Sequence, residues 1–275
     1  MKKNGLTLID PTGEENTAIV TCTDEPDSLG VQDYLFLTIK SPALLPSLKA
    51  MKPLIGKDTT IITCMNGIPH WYFHKLDNKY ANYKIKCLDP NLLIDTILPP
   101  DNIVGSVVYP ACEIVQPGTI KHIAGNRFSL GEPEGSESDR LKFISEILKR
   151  AGFRAPIQKN IRDEIWLKLI GNLSFNPISA LTGATLEQIC NDQGTEAIVK
   201  AMMTEAKIIA EELGAKINMS IEKRIEGARK VGAHKTSMLQ DIEAGKPIEI
   251  DSIIIAVKEL GELTCSPTPY IDTII

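Results

Sequence analysis

The sequence predicts an α/β fold in which an open, mainly parallel sheet domain precedes an all-helical domain. Short, β-branched, largely apolar runs recur through the first half, at 17–22, 33–40, 59–67 and 102–110. Continuous apolar strands of this kind are typical of a parallel sheet buried on both faces. From about residue 161 the strand pattern fades and helical patterns take over. We therefore predict two domains, 1–158 and 159–275.

Residues 41–56 have the features of a helix that connects two parallel strands. The segment begins with Ser41–Pro42 and ends with Gly56. Proline is favoured in the first turn of a helix and glycine just beyond its end. A strand, helix, strand sequence of this kind favours an open α/β sheet.

The rest of the first half is less regular. Residues 69–99 fit the alternation poorly, and we expect a long excursion that covers an edge of the sheet or the mouth of a cleft. Residues 119–125 and 127–132 are expected to form two short antiparallel strands. Residues 136–152 combine a capping start, apolar residues at helical spacing and a final glycine, which predicts an amphipathic helix.

The second half is predicted to be helical, over the segments 161–181, 195–214, 219–243 and 248–261. Pro177 lies inside the first of these segments. Because proline lacks a backbone donor, we expect it to bend or end that helix.

Composition excludes several classes of protein. The chain has 275 residues, of which 43% are hydrophobic and 24% charged, as in ordinary globular proteins. A formal net charge of −5 speaks against nucleic acid as a partner. No apolar run approaches the length of a membrane span, and the N-terminus lacks the apolar core of a signal peptide. We therefore expect a cytoplasmic protein without a membrane partner.

Cysteines and histidines give no sign of a metal site. The six cysteines are scattered without a CxxC pair, which favours reduced thiols over a disulfide framework. His70 and His74 lie four residues apart, but a nearby glutamate or third ligand is missing. We expect no bound metal.

Three polar residues stand out in the apolar segment 161–181. Lys168, Asn172 and Asn176 are spaced four residues apart, so they share one face of a helix that is otherwise apolar on nearly all sides. Buried polar groups are costly unless they are hydrogen-bonded. The spacing fits either a helix along a polar cleft or a structural hydrogen-bond network between helices.

Two further polar residues follow predicted strands. Lys40 ends the run at 33–40, and Asn66 lies at the end of the run at 59–67. Ligands of open α/β sheets bind beyond the carboxyl ends of the strands, so both residues are expected at one crevice. For Lys40 alone, a solvated lysine at a strand end is the simpler interpretation.

The segment 234–251 contains a short helix that Thr236 or Ser237 is expected to cap. Glu249 then lies within an isoleucine-rich pattern, IEIDSIII. From the residues alone, a cap and a surface charge are the favoured interpretation of Ser237 and Glu249.

Taken together, these motifs resemble the ketopantoate reductase (2-dehydropantoate 2-reductase) family, from residue 5 to the end. The matching motifs are, in order, LTIK, MNGIP, WLKLIGNLSFNPISAL and TSMLQDIEAGKPIEID. The stretch ACEIVQPG around Ala111 is a weaker match to a cofactor-side loop of that family.

The resemblance implies a Rossmann-type cofactor-binding domain, a helical domain and an active site in the cleft between them. It implies NADPH-dependent reduction of a 2-oxo acid, ketopantoate to pantoate, on the route to pantothenate and coenzyme A. Transfer of hydride to the keto carbon leaves negative charge on oxygen, which requires a proton donor.

The resemblance also implies roles for individual residues. Lys168 is expected to be the acid, since desolvation lowers the pKa of a lysine. Lys168, Asn172 and Glu249 form the expected catalytic set, with Glu249 also at the ribose of the cofactor. The remaining contacts are Asn66, Asn172, Asn176 and Ser237 for the substrate, with Ser237 at its carboxylate, and Lys40, Asn66 and Ala111 for NADP.

One departure concerns the start of the chain. The family begins with a strand and a GxGxxG turn that holds the pyrophosphate, and this sequence has no such motif. We expect a first βαβ portion of roughly thirty residues to be missing. Either Met1 is not the natural start, or a shortened chain binds the cofactor poorly.

The departure leaves open the choice between NADP and NAD, since the 2′-phosphate contact usually lies in the absent portion. Two other functions stay open: reduction of another 2-oxo acid, and a non-catalytic role through association. An uncovered sheet edge invites association, so we expect a homodimer.

Overall fold

The computed structural model describes all 275 residues, Met1–Ile275. Its strands form two four-stranded sheets, which we call the inner and the outer sheet. The strands are β1 (Leu6–Ile9), β2 (Glu15–Ala18), β3 (Tyr34–Leu37), β4 (Thr60–Thr63), β5 (Ile103–Val108), β6 (Ala111–Gln116), β7 (Thr119–Ala124) and β8 (Phe128–Gly131).

The inner sheet has the strand order β3-β4-β5-β8. β3, β4 and β5 are parallel and β8 is antiparallel to β5. The predicted runs at 33–40, 59–67 and 102–110 contain β3, β4 and β5. All four residues of β4 are buried, as a central strand covered on both faces requires. The predicted open, mainly parallel sheet is confirmed.

The outer sheet has the order β2-β1-β7-β6 and corrects two expectations. Residues 119–125 and 127–132 do not pair with each other: β7 pairs with β1 and β6, whereas β8 pairs with β5. The reason is burial, since Leu130 of β8 enters the core while β7 is partly exposed. The run at 17–22 is not a core strand either, because β2 covers residues 15–18 and all four are exposed.

Helices dominate after residue 160, as predicted. The helices are α1 (Leu44–Met51), α2 (Ile94–Ile97), α3 (Asp139–Arg150), α4 (Ile161–Thr182), α5 (Leu186–Asn191), α6 (Gln193–Glu212), α7 (Ile221–Val231), α8 (Ser237–Glu243), α9 (Ala256–Thr264) and α10 (Pro269–Ile274), with a π-helical turn at Asp251–Ile255 before α9. Helix α4 continues through Pro177 and ends at Gly183, whose φ of 69° provides a left-handed cap.

The excursion at 69–99 also contributes buried side chains to the core. Trp71, Tyr72 and Phe73 are almost fully buried and belong to a 41-residue hydrophobic cluster that extends into the helical half. The Trp166 indole of α4 donates to the Tyr72 hydroxyl at 2.8 Å. The Arg162 Nε donates to the Tyr72 carbonyl at 2.8 Å. These contacts fix α4 against the segment that follows β4.

The other face of the inner sheet is covered by α3. Leu141, Ile144 and Leu148 of that helix pack with Ile62 and Val104 in a second, seven-residue cluster. Ser138 caps α3 by accepting from the Leu141 amide, as its capping start predicts. None of the helices combines the length and the hydrophobicity that a membrane span requires.

Candidate active site

Helix α4 places a lysine at the carboxyl ends of the inner strands. The Lys168 Nζ donates to the Asn66 Oδ1 at 2.8 Å and also to the Val108 carbonyl. Asn66 lies three residues beyond β4, and Val108 is the last residue of β5. Lys168 therefore joins the helical half to two neighbouring strand ends, where open α/β sheets bind their ligands.

Glu249 extends this chain of hydrogen bonds. The Asn66 Nδ2 donates to the Glu249 Oε2 at 3.0 Å, and the Ser41 amide donates to the Glu249 Oε1 at 3.2 Å. Glu249 is only 5% exposed, so the interpretation as a surface charge is wrong. The carboxylate connects the end of β4 to the turn that follows β3.

The turn at Gly67 brings the π-helical turn close to the strand end. Gly67 has a φ of 85°, and an added Cβ would lie 2.3 Å from the Ser252 carbonyl oxygen. The Ile68 amide donates to that same carbonyl at 2.8 Å. A side chain at position 67 would push the two segments apart, so glycine is required there.

Burial controls the charge of Lys168. Desolvation lowers the pKa of Lys168 to about 8, while the charge of Glu249 raises it and that of Arg224 lowers it further. Burial also raises the pKa of the Cys64 thiol to about 11, so this cysteine is a neutral neighbour. The lysine is thus an ammonium at neutral pH that can release its proton readily.

A cavity of about 210 Å³ opens beside Lys168. Lys168, Asn172 and Asn66 contribute polar groups to its wall. Apolar side chains come from α1, from α4 and from the excursion at 69–99, among them Leu44, Ile165, Trp71 and Ile94. An apolar space with a few convergent polar groups is typical of a small-molecule site.

The other predicted residues lie around this centre. The Lys40 Nζ forms an ion pair with Asp241 of α8, so it bridges the two halves. Asn176 is 5% exposed and its Nδ2 has no hydrogen-bond partner. Ser237 is the exposed first residue of α8, which Thr236 caps. The cavity wall does not include any of these side chains.

Ala111 lies away from the cavity. It is exposed, and it begins β6 of the outer sheet, where it pairs with Ala124. The stretch around Ala111 is therefore a strand and not the expected loop. The ladder with β7 holds this stretch as the edge strand of the outer sheet.

Arg224 of α7 is a candidate that the sequence did not reveal. Its guanidinium crosses α4 at Gly171, where an added Cβ would lie 2.1 Å from the Arg224 Nη2. The Nε has no hydrogen-bond partner, and burial lowers the pKa of Arg224. Arg224 is half-buried and its guanidinium has no paired carboxylate, so it can pair with an anionic ligand.

No surface pattern in α7 distinguishes Arg224 from its neighbours. The helix reads IEKRIEGARKV, in which charges of both signs alternate with few apolar residues. The small residue at position 171 is the one local hint that something packs closely against α4 there.

Comparisons with known proteins agree with this architecture. Family models described as "Ketopantoate reductase PanE/ApbA" and "Ketopantoate reductase PanE/ApbA C terminal" match residues 1–135 and 160–275. A 2-dehydropantoate 2-reductase from Mesorhizobium japonicum is 47% identical over the whole chain and 84% of the relative.

Solved structures share the fold over nearly the whole chain. A ketopantoate reductase structure from Ralstonia solanacearum has a TM-score of 0.93 and 39% identity, and the match covers 99% of this chain and 83% of that one. A D-mandelate dehydrogenase, solved with NADH and anilino(oxo)acetate, has a TM-score of 0.80 and 22% identity over 99% and 83% of the two chains. The latter likeness shows the fold alone.

Proposed function

We propose that this chain reduces 2-dehydropantoate (ketopantoate) to pantoate with NADPH, on the route to pantothenate and coenzyme A. The chain belongs to the ketopantoate reductase family of oxidoreductases, and the proposal proceeds from that membership. The observation that carries this proposal is the placement of the Lys168 ammonium. It lies on a cavity wall at the carboxyl ends of β4 and β5, held by Asn66 and Val108.

The ammonium is equipped to protonate a substrate oxygen. A lysine ammonium has three N–H donors, and Asn66 and Val108 accept two of them. The third N–H is left for the keto oxygen of a bound 2-oxo acid. As the keto carbon gains hydride, the π electrons of the C=O bond move to oxygen, which takes the proton from Lys168. Lys168 then regains a proton from solvent, so the net reaction consumes one hydride and one proton.

The groups at the strand ends fit the nicotinamide half of a dinucleotide. The Glu249 carboxylate can accept from the ribose hydroxyls, and the Lys40 ammonium, which is 46% exposed, is suited to a phosphate. We assign Lys40, Asn66 and Glu249 to the cofactor, together with Ala111, which lies outside the wall of the cavity. The chemistry that NADPH supplies when bound is hydride transfer.

The substrate contacts are assigned to amides, a hydroxyl and a guanidinium. Asn172 on the cavity wall and the unpaired Asn176 amide orient the 2-oxo acid through neutral hydrogen bonds. Ser237 is the expected carboxylate contact. Arg224 is a second candidate for the carboxylate, because its half-buried guanidinium lacks a paired anion and its charge acts on Lys168.

The direct test is ketopantoate-dependent oxidation of NADPH, with pantoate identified as the product. We expect Lys168→Ala to lower kcat by about 10²- to 10⁴-fold, the range for loss of a general acid. Lys121→Ala is the matched control, because Lys121 is an exposed lysine of β7 in the outer sheet. Activity that is the same in wild type, Lys168→Ala and Lys121→Ala would contradict the assignment.

A further inference from the structure

His70 is a buried histidine on the wall of the same cavity as Lys168. It lies in the excursion that follows β4, next to Trp71, and is 7% exposed. Neither Nδ1 nor Nε2 has a hydrogen-bond partner. The neighbouring Trp71 indole is satisfied, since it donates to the Thr63 Oγ1 at 3.0 Å. Buried polar groups are nearly always paired, so the two free ring nitrogens require an explanation.

The imidazole of His70 is neutral at neutral pH. Burial lowers the pKa of His70 to about 4, against the charges of Asp95 and Asp89, which raise it, while Lys84 lowers it. A neutral imidazole presents one N–H donor and one acceptor nitrogen. Leaving either unpaired in an apolar setting costs about 1–3 kcal/mol. A ligand group that pairs with this ring would recover that free energy.

The surroundings of His70 select the kind of group. Leu88 and Ile94 of the same excursion line the cavity, so a charged group would be poorly solvated there. The negative charges of Asp89 and Asp95 also act on His70, and they disfavour a carboxylate of the ligand at this ring. A hydroxyl is neutral and can either donate to the acceptor nitrogen or accept from the N–H, so it suits both tautomers.

The space is sufficient for a side chain beyond the reacting carbonyl. A water molecule takes about 30 Å³ of liquid volume, so a cavity of about 210 Å³ holds several non-hydrogen atoms. With its keto oxygen at Lys168, a 2-oxo acid can extend its side chain into this cavity. Its carboxylate is assigned, as above, to Ser237 or Arg224.

We propose that His70 determines specificity, by hydrogen bonding to a hydroxyl on the side chain of the 2-oxo acid while Leu88 and Ile94 contact its carbon skeleton. The inference rests on the proposed function and assigns to His70 the preference for a hydroxylated, otherwise apolar 2-oxo acid. A site built to bind a hydroxyl rejects an analogue that lacks it, because its own polar group is then left unpaired.

Matched substrate pairs test this inference. Ketopantoate is compared with 3,3-dimethyl-2-oxobutanoate, which lacks only the hydroxyl, and 4-hydroxyphenylpyruvate is compared with phenylpyruvate. For each pair the measurement is the ratio of the two kcat/KM values. We expect wild type to prefer the hydroxylated member of the pair it reduces, by about 10- to 100-fold for one hydrogen bond to an otherwise unpaired group.

Two variants of His70 and one control complete the design. His70→Leu should abolish the preference, with the analogue lacking the hydroxyl reduced as well as by wild type. His70→Gln keeps hydrogen-bonding atoms and should retain part of the preference, which guards against a misfolded His70→Leu. His74→Leu should leave the ratio unchanged, because His74 pairs with Asp101 and does not line the cavity.

The outcomes separate the two proposals. If wild type reduces a pair and His70→Leu keeps the wild-type ratio, the role of His70 is overturned while the reductase function stands. If wild type reduces no member of either pair, the proposed function is overturned and the inference with it. A ratio that falls equally in His74→Leu would also overturn the inference.

Discussion

The inner and outer sheets have four strands each, yet they differ in what covers them. In the inner sheet, β4 is wholly buried and five of the six residues of β5 are buried. In the outer sheet, every residue of β2 and β6 is exposed. The candidate site is built on the ends of the inner strands, where α1, α4 and the excursion exclude water. Desolvation of Lys168 depends on these elements, which cover the cavity. The candidate catalytic groups therefore lie at the inner sheet, which is buried on both faces.

The largest expected difference between the sheets is in stability. Ile62→Ala in β4 removes a fully buried side chain from the cluster under α3 and should cost about 2–5 kcal/mol of unfolding free energy. Ile114→Ala in β6 removes a side chain that is 74% exposed and should change the free energy of unfolding by less than about 0.5 kcal/mol. Denaturant titration measures both variants. Similar losses in the two would show that the outer sheet is as well packed as the inner one.

What the sequence reveals follows the same division. Continuous apolar runs predict β3, β4 and β5, because burial on both faces leaves a local pattern. The four-residue spacing of Lys168, Asn172 and Asn176 predicts a polar face on α4, because helical periodicity is local too. Lys168 combines both alternatives, since its side chain donates hydrogen bonds to two strand ends and also lines a cavity wall.

Other features depend on contacts between distant residues and leave no local pattern. Glu249 meets Asn66 across 183 residues of sequence, so its burial cannot be seen in IEIDSIII. The pairing of β8 with β5 is likewise set by the core and not by the short turn between β7 and β8. Arg224 and His70 resemble ordinary helix and loop residues until the packing around them is known.

The second prediction concerns Arg224, which lies outside the wall of the cavity but whose charge acts on Lys168. Arg224→Gln should raise the KM for the 2-oxo acid by about 10- to 100-fold, as loss of a hydrogen bond to a charged group does. It should change the melting temperature little, since the Nε of Arg224 has no hydrogen-bond partner to lose and its guanidinium has no paired carboxylate. Steady-state kinetics and thermal unfolding measure the two effects. Arg229→Gln in the same helix is the control, because Arg229 forms ion pairs with Glu196 and Glu226.

The third prediction is a pH profile that reports the desolvation directly. The pKa of Lys168 is lowered to about 8, and the donor must be protonated to act. Activity should therefore be constant at lower pH and fall about tenfold per unit as pH rises above 8, since the ammonium is lost. The rate is measured under saturating substrate and cofactor from pH 6 to 10. A profile that stays flat to pH 10 would show that Lys168 is solvated or is not the proton donor.

The smallest expected effect tests the rim of the cleft. Lys40 pairs with Asp241 but is 46% exposed, so solvent screens this ion pair. Lys40→Ala should lower stability by at most about 1 kcal/mol, while a lost phosphate contact should raise the KM for NADPH several-fold and make it less dependent on salt. Asp241→Asn separates the two roles, since it breaks the same ion pair and leaves the ammonium free for the phosphate. If both variants raise the KM for NADPH equally, Lys40 acts by holding α8 to the end of β3, and the cofactor's phosphate must be bound elsewhere.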